Sequence, residues 1–257
     1  MPARLELIAL EGFPLVEPGD NLPRLIGEAL HGNGLTLRDG DVLVIAQKIV
    51  SKAENRYVRL SDVTVSQAAR DLAARADKDP RLVQLILQES REVLRVRPGV
   101  IIVEHHNGYV HANAGIDRSN ISSDTSDPRV LLLPVDPDAS AAALSNALYA
   151  AHGVAPQILV TDSFGRAWRN GTVGVAIGSA GLQPLHNQVG CRDLCGNELE
   201  VTEAAVADEL AAAASLVMGQ AAEGWPVVLA RGAGIAPDPG EGGARSLLRD
   251  RALDLFR

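Results

Sequence analysis

Between Asn21 and Gly32 the apolar residues Leu22, Leu25, Ile26, Ala29 and Leu30 recur at the spacing of one helical face, and Gly32 stands where the helix would end. A turn at Asp39-Gly40 precedes the apolar run Val42–Ile45, read as a buried strand that runs into a polar loop carrying Gln47, Lys48 and Lys52. Ser66–Ala76 and Pro80–Leu94 read as two helices, the second opened by a proline in its first turn. A strand at Val100–Val103 leads into HHNGYVHANAGIDRSN, with a hairpin at Asn107-Gly108. A strand at Val130–Leu133 precedes an alanine-rich helix, Ala139–Ala151, and the run Ile158–Val160 is a further strand. The remaining pattern predicts a helix at Thr202–Met218 with Thr202 as N-cap, a strand at Val227–Leu229 and an amphipathic C-terminal helix in GARSLLRDRALDLFR. In that last helix Leu248, Ala252 and Leu255 share a face beside Leu247, and covering that face calls for a second copy of the chain. Strands and helices alternate without repeats or low-complexity linkers, which predicts one domain of the α/β or α+β class.

The composition narrows the function classes. At 257 residues with 46% hydrophobic and 22% charged residues, the chain can bury a sizeable core. No apolar run approaches the ~18–20 residues of a membrane span, and the start carries no signal-peptide pattern, so the expected setting is the cytoplasm without membrane attachment. A net charge of −8 argues against a nucleic-acid surface. It does not exclude anionic small molecules, because local arginines or bound metal ions can invert the field of one cleft. Cys191 and Cys195 follow His186 at a spacing looser than structural zinc pairs usually show, and free thiols near a turn are the simpler reading. His105, His106 and His111 flank the hairpin, and adjacent strand positions point to opposite faces, against a site shared by all three.

Several short motifs carry candidate chemistry. In TDSFGRAWRNG, Asp162 follows a buried strand, where α/β sheets gather ligand-binding groups. Asp162 and Ser163 could offer hard oxygen donors to magnesium or manganese, and Arg166 and Arg169 could grip a phosphate or carboxylate. Equally, Asp162 could cap a turn and the arginines could be solvated. In ANAGIDRSN, Asp117 and Asn120 could bind metal or phosphate or close an Asx-turn on their own backbone. Lys48 and Lys52 could neutralise phosphates or line a solvated face, and Gln220 and Glu223 form a polar helix end. No P-loop and no well-placed G-x-G-x-x-G is present, and the glycines of RGAGIAPDPGEGG follow no phosphate-loop spacing.

Read in order, the segments GFPLVEPGDNL, GDVLVIAQKIVSKAEN, RPGVIIVEHHNGYVHANAGIDRSN, LLLPVDPDASA, VTDSFGRAWRNGTVGVAIGSAG and VADELAAAASLVMGQ resemble the coenzyme F420-0:L-glutamate ligase family, the gamma-glutamyl ligases of coenzyme F420 biosynthesis. The resemblance runs from Gly12 to about Gly232. It implies an unusual α/β fold assembled as an intertwined homodimer. It also implies a single ligase domain over residues 1–257, without the C-terminal flavin-binding nitroreductase-like domain that some members carry.

The implied activity is GTP-dependent amide formation between the lactyl carboxylate of F420-0 and L-glutamate, with further gamma-linked glutamates in some members. It depends on Mg2+ or Mn2+, in two divalent sites. The resemblance places guanine-nucleotide contacts on Phe13, Pro14, Leu15, Val16, Gln47, Lys52 and Asn120, and metal ligands at Asp117, Asp162 and Ser163 with Gln220 as a further candidate. Asp117 and Asp162 then carry the catalysis. Gln47 departs from the serine or threonine of several relatives, and Gln220 is neutral where a metal would prefer a glutamate. Two other readings compete: a different nucleotide-dependent amide ligase on the same scaffold, and a GTP- and metal-sensing regulatory protein without catalysis.

Overall fold

The computed structural model describes residues 4–121, 126–238 and 242–255. Its elements run β1 (Glu6–Ala9), α1 (Leu22–Gly32), β2 (Val42–Ala46), α2 (Gln47–Ala53), β3 (Tyr57–Arg59), α3 (Gln67–Ala76), α4 (Pro80–Gln88), β4 (Ser90–Arg97), β5 (Val100–His105), β6 (Val110–Ala112) and β7 (Arg129–Leu131). They continue with α5 (Pro137–His152), β8 (Gln157–Arg166), β9 (Arg169–Ala180), β10 (His186–Asn187), β11 (Glu203–Ala204), α6 (Val206–Met218) and β12 (Val227–Arg231). The mixed α/β class expected from the alternation is observed. No helix among the described residues is long and apolar enough to cross a membrane.

The main sheet has the order β1-β12-β2-β8-β9. Its central pair, β2 and β8, is parallel, and every other pairing in it is antiparallel. Because β2 and β8 are covered on both faces, they read as unbroken apolar runs rather than alternating ones. One face packs on α1 and α5 through Leu43, Ile45, Ile158 and Val160 against Leu25, Ile26, Leu144 and Leu148. The other packs on α6 through Val42, Val44, Leu159 and Val228 against Leu210, Ala211 and Ala214. A second core lies under β4-β5-β6, where Ile101 and Val103 meet Leu72, Leu82 and Ile86 of α3 and α4.

Five local expectations are corrected. The segment after β2 is helix α2 rather than a polar loop, with Ile49 and Val50 buried; a helix of seven residues following an apolar strand leaves too short a period to read. Helix α4 ends at Gln88, and Ser90–Arg97 is a strand whose alternation is interrupted by register shifts. The TDSFGR motif is not a loop but the far half of β8, which continues with β9 as a long ribbon.

Helix α6 starts at Val206, not Thr202, because Glu203–Ala204 pair with β10 and Ala205 takes the N-cap position. The C-terminal segment forms two short 3-10 turns, Gly243–Leu247 and Arg251–Leu253, rather than an amphipathic helix. Polar contacts hold it: the Asp138 carboxylate accepts from the Ala244 N–H at 2.8 Å, and Arg245 pairs with Asp136 at 2.9 Å. Phe256 and Arg257 of the expected helix, and residues 239–241 of the glycine-rich stretch, lie outside the described residues.

Candidate metal and nucleotide site

The site begins where the parallel pair separates. Ala46 is in register with Thr161, and beyond that rung β2 turns into α2 while β8 runs on. This places Gln47, the first residue of α2, beside Asp162, at the carboxyl ends of two parallel strands. A second loop then closes on the same spot. Asp117 is clamped to β7 by two backbone bonds with Leu131, 2.8 Å and 3.0 Å long. The turn before it depends on Gly115, whose φ is +66° and whose missing Cβ would stand 2.5 Å from His111 Cε1 and 2.8 Å from Leu133 Cδ1.

Three side chains tie α2 to this loop. Gln47 Nε2 donates to Asp117 Oδ2 at 3.0 Å, and Ser51 Oγ donates to Gln47 Oε1 at 2.9 Å, which fixes the amide orientation. Lys48 Nζ lies 3.3 Å from the same Asp117 Oδ2 and 3.1 Å from Ser119 Oγ. A third segment, after α6, completes the ring. Asn120 Nδ2 donates to the Ala221 carbonyl at 2.8 Å, and Ser163 Oγ donates to Gln220 Oε1 at 3.0 Å.

The electrostatics mark the two acids as a pair. Burial first, and then the negative charge of Asp117, push Asp162 up to about 7, against the opposing help of the Ser163 N–H, Lys48 and Gln47. Lys52 is buried, and its pKa is lowered by that burial and by Lys48, while Glu17 and Asp117 act the other way. Arg129, which also lowers the Lys52 pKa, stacks its guanidinium over Tyr57 at 4.1 Å. Cations and carboxylates thus alternate within one half-buried cleft.

Phe13, Pro14, Leu15 and Val16 lie between β1 and α1. Val16 is buried and Phe13 packs on the core, while Pro14 and Leu15 are exposed. The Gly19 N–H donates to the Ala53 carbonyl at 2.9 Å, which hooks this loop onto the end of α2 that carries Lys52. Asp117, Asp162, Ser163, Gln47, Lys52, Asn120 and Gln220, scattered in sequence, are therefore neighbours through these contacts and charges, with this loop at their edge.

Other candidates are not drawn in. Arg166 and Arg169 face each other across the tip of the β8–β9 ribbon, beyond the acids. Cys191 and Cys195 are exposed free thiols. His105 and His111 are buried on one face with ring centroids 6.4 Å apart, while His106 turns out to the Gln88 carbonyl at 2.7 Å. Ser51 and Ser119, which orient Gln47 and Lys48, were not singled out from the sequence. A serine one helical turn after a polar residue was the available signal for Ser51.

Among the described residues no three His, Cys, Asp or Glu side chains are grouped to hold a metal. A divalent ion here would rest on two carboxylates, with the Ser163 hydroxyl and the Gln220 amide oxygen as neutral donors. That all-oxygen set suits magnesium or manganese, and such an ion would relieve the mutual repulsion of Asp117 and Asp162. The residues fit the group.

Fold and site together define a mixed α/β protein that sets an acid pair beside two lysines at the carboxyl ends of parallel strands. The model of the F420-0:Gamma-glutamyl ligase family matches residues 12–232, and the chain belongs to that family. It is 49% identical over 253 residues to the coenzyme F420:L-glutamate ligase of Methanothermobacter thermautotrophicus, covering 98% of this chain and 99% of that protein. The protein of the same name from Methanopyrus kandleri is 44% identical over 260 residues, covering 98% and 99% respectively. That of Archaeoglobus fulgidus is 40% identical over 254 residues, covering 99% and 97%.

Proposed function

We propose that this chain is an acid–amino-acid ligase of coenzyme F420 biosynthesis, joining L-glutamate to the lactyl carboxylate of F420-0 with GTP as phosphoryl donor. The observation that carries this reading is the meeting of Asp117 and Asp162 beside Gln47, with Asp162 pushed up to about 7 by burial and by its neighbour. Two carboxylates kept that close in a half-buried cleft are arranged for a cation.

A carboxylate does not condense with an amine directly, because the leaving group would be hydroxide or oxide. Attack of the lactyl carboxylate oxygen on the γ-phosphorus expels GDP and leaves an acyl phosphate. The glutamate amine then adds to the acyl carbon, inorganic phosphate departs with the C–O electron pair, and the amine loses a proton. Asp117, Asp162, Ser163 and Gln220 would hold Mg2+ or Mn2+, in up to two sites, and a divalent ion so held supplies charge neutralisation between phosphate and carboxylate. Lys52 and Asn120 face the phosphates, and the Phe13–Val16 loop borders the base. Ser51, through Gln47, keeps Asp117 aimed into the cleft. Because all three substrates are anions, the net charge of −8 makes these local cations the source of attraction.

The active form is a homodimer, supported by the apolar Leu194 and Val201, which stand exposed on the segment between β10 and β11.

The direct test is incubation of the purified protein with F420-0, GTP, L-glutamate and Mn2+, read by mass spectrometry. The expected products are GDP, phosphate and F420-0 extended by one or more glutamates. Omission of GTP or Mn2+ should abolish them. GTP turnover without a glutamate-containing product would overturn the reading.

A further inference from the structure

The first turn of α2 aims two donors at a single oxygen: Gln47 Nε2 at 3.0 Å and Lys48 Nζ at 3.3 Å from Asp117 Oδ2. Gln47 is held in place by Ser51, but Lys48 is held by the loop itself. Its ammonium also reaches the Ser119 carbonyl at 3.3 Å and Ser119 Oγ at 3.1 Å. The pair is partly shielded, with the Lys48 side chain 23% and the Asp117 side chain 24% exposed. Lys48 also lies near enough to Asp162 for its charge to favour the ionised acid. The ammonium thus pairs with Asp117 and only partly offsets what raises Asp162.

We propose that Lys48 is a built-in counter-cation for Asp117 that a divalent ion must displace, and that the displaced ammonium then takes the terminal phosphate of the nucleotide. The inference rests on the reading of Asp117 and Asp162 as metal ligands. An ammonium and a dication in contact with the same carboxylate oxygen repel each other, so each weakens the other's hold. A lysine suits such an exchange: its charge sits on a flexible stem with three rotatable donors, where an arginine fork would be fixed to the carboxylate. Ser119 offers two further oxygens, so the ammonium can leave Asp117 without leaving the cleft. The coupling is reciprocal. Metal alone must break the Lys48–Asp117 contact, whereas metal arriving with a nucleotide gives the ammonium a new anionic partner. Metal and nucleotide should therefore bind with positive cooperativity that originates in Lys48.

The test is titration of Mn2+ into the nucleotide-free protein, followed by the electron paramagnetic resonance signal of free Mn2+, for wild type, Lys48→Met, Lys48→Gln and Lys48→Arg. The two neutral variants should bind Mn2+ at least about fivefold tighter than wild type, the lower end of ordinary coupling between sites. Lys48→Arg, which keeps the charge, should stay near wild type. Adding GTP should raise Mn2+ affinity strongly in wild type and much less in Lys48→Met. Melting curves verify folding, and the two neutral substitutions guard against loss of either one. Unchanged or weaker Mn2+ binding in the folded neutral variants overturns the proposal. No F420-0 or glutamate is present in this titration. Neutral Lys48 variants that bind Mn2+ more tightly, with a wild type that makes no glutamate product, sink the ligase reading alone. An active wild-type ligase whose Mn2+ affinity is unmoved by the Lys48 variants sinks this inference alone.

Discussion

Gln47 Nε2 donates to Asp117 Oδ2 at 3.0 Å, so the end of β2 and the loop after β6 are joined by one buried amide. That amide is oriented by Ser51, whose hydroxyl donates to Gln47 Oε1 at 2.9 Å. Removing the side chain in Gln47→Ala strands the Ser51 hydroxyl and releases Asp117. The expected cost is about 1–3 kcal/mol of stability, the usual penalty for an unsatisfied buried polar group. Urea unfolding of both proteins measures it. A variant within about 0.5 kcal/mol of wild type, the range of an ordinary surface change, would show that the amide does not hold the loop.

Asp162→Asn should separate catalysis from folding. The acid is pushed up to about 7 chiefly by burial, with Asp117 adding repulsion, so its ionised form opposes the metal-free fold. The sign follows: with the folded pKa above the ordinary 3.8, the metal-free protein loses stability as pH rises from that value through about 7. At pH 8 without metal, the asparagine variant should melt no lower than wild type. Its ligase rate should nonetheless fall more than about tenfold, a loss above ~1.4 kcal/mol of transition-state stabilisation. A variant that keeps its rate, or that melts well below wild type, would contradict the placement of Asp162 in the metal site.

Much of this architecture is legible in the sequence, for identifiable reasons. Helix α1 declares itself through five apolar residues on one face and an Asn21 cap that accepts from the Arg24 N–H at 3.0 Å. The strands β2 and β8 do so through continuous apolar runs. Helix α2 was hidden because its buried face includes Gln47, Ser51 and Lys52, polar residues kept inside by one another and by the cleft they line. The ribbon half of β8 was hidden likewise, since Asp162, Ser163 and Gly165 read as a loop when no apolar alternation marks the strand. Each site motif taken alone also fits an ordinary role, a turn cap, an Asx-turn, a solvated face or a polar helix end. Their motif order supplied the family, and the register of Ala46 with Thr161 supplied the reason why Gln47 and Asp162 are neighbours. Lys48 reads equally as a phosphate-neutralising or a solvated cation, and no sequence pattern could show that it pairs with Asp117.

His111 should make the protein acid-sensitive. Its ring is buried against Phe164 at 4.3 Å between centroids, its Nε2 has no hydrogen-bond partner, and burial pushes its pKa down from 6.5 to about 3, with His105 adding to the fall. The folded state therefore keeps it neutral while the unfolded chain takes a proton. The contribution is complete above 6.5 and is lost as pH falls toward about 3. From this residue alone the slope is about 1.4 kcal/mol per pH unit, or roughly 2 kcal/mol by pH 5. Unfolding free energies of wild type and His111→Asn, taken at pH 7 and pH 5, isolate it from the other acids. Parallel pH profiles would show that His111 titrates in the fold as it does in the unfolded chain.

Nucleotide binding should collapse on chelation. The sequence has no P-loop, so on the proposed reading the phosphates would rely on Lys52, Asn120, a displaced Lys48 and ions held by Asp117 and Asp162. Asn120 is itself committed to the Ala221 carbonyl at 2.8 Å, and Lys52 is half-shielded by Glu17 and Asp117, so side chains alone offer the phosphates little. Phosphates approaching Asp117 and Asp162 without a cation would meet two negative groups. Calorimetric titration of GTP with Mn2+ and with EDTA should therefore show binding in the first case and none measurable in the second. A site that satisfies the polar edge of guanine leaves groups unpaired against adenine, at ~1–3 kcal/mol each, so ATP should bind at least about tenfold more weakly than GTP. Tight metal-independent binding would remove the acid pair from the phosphate site. Equal affinity for ATP would keep the acid pair but assign the chain to a ligase with a different nucleotide.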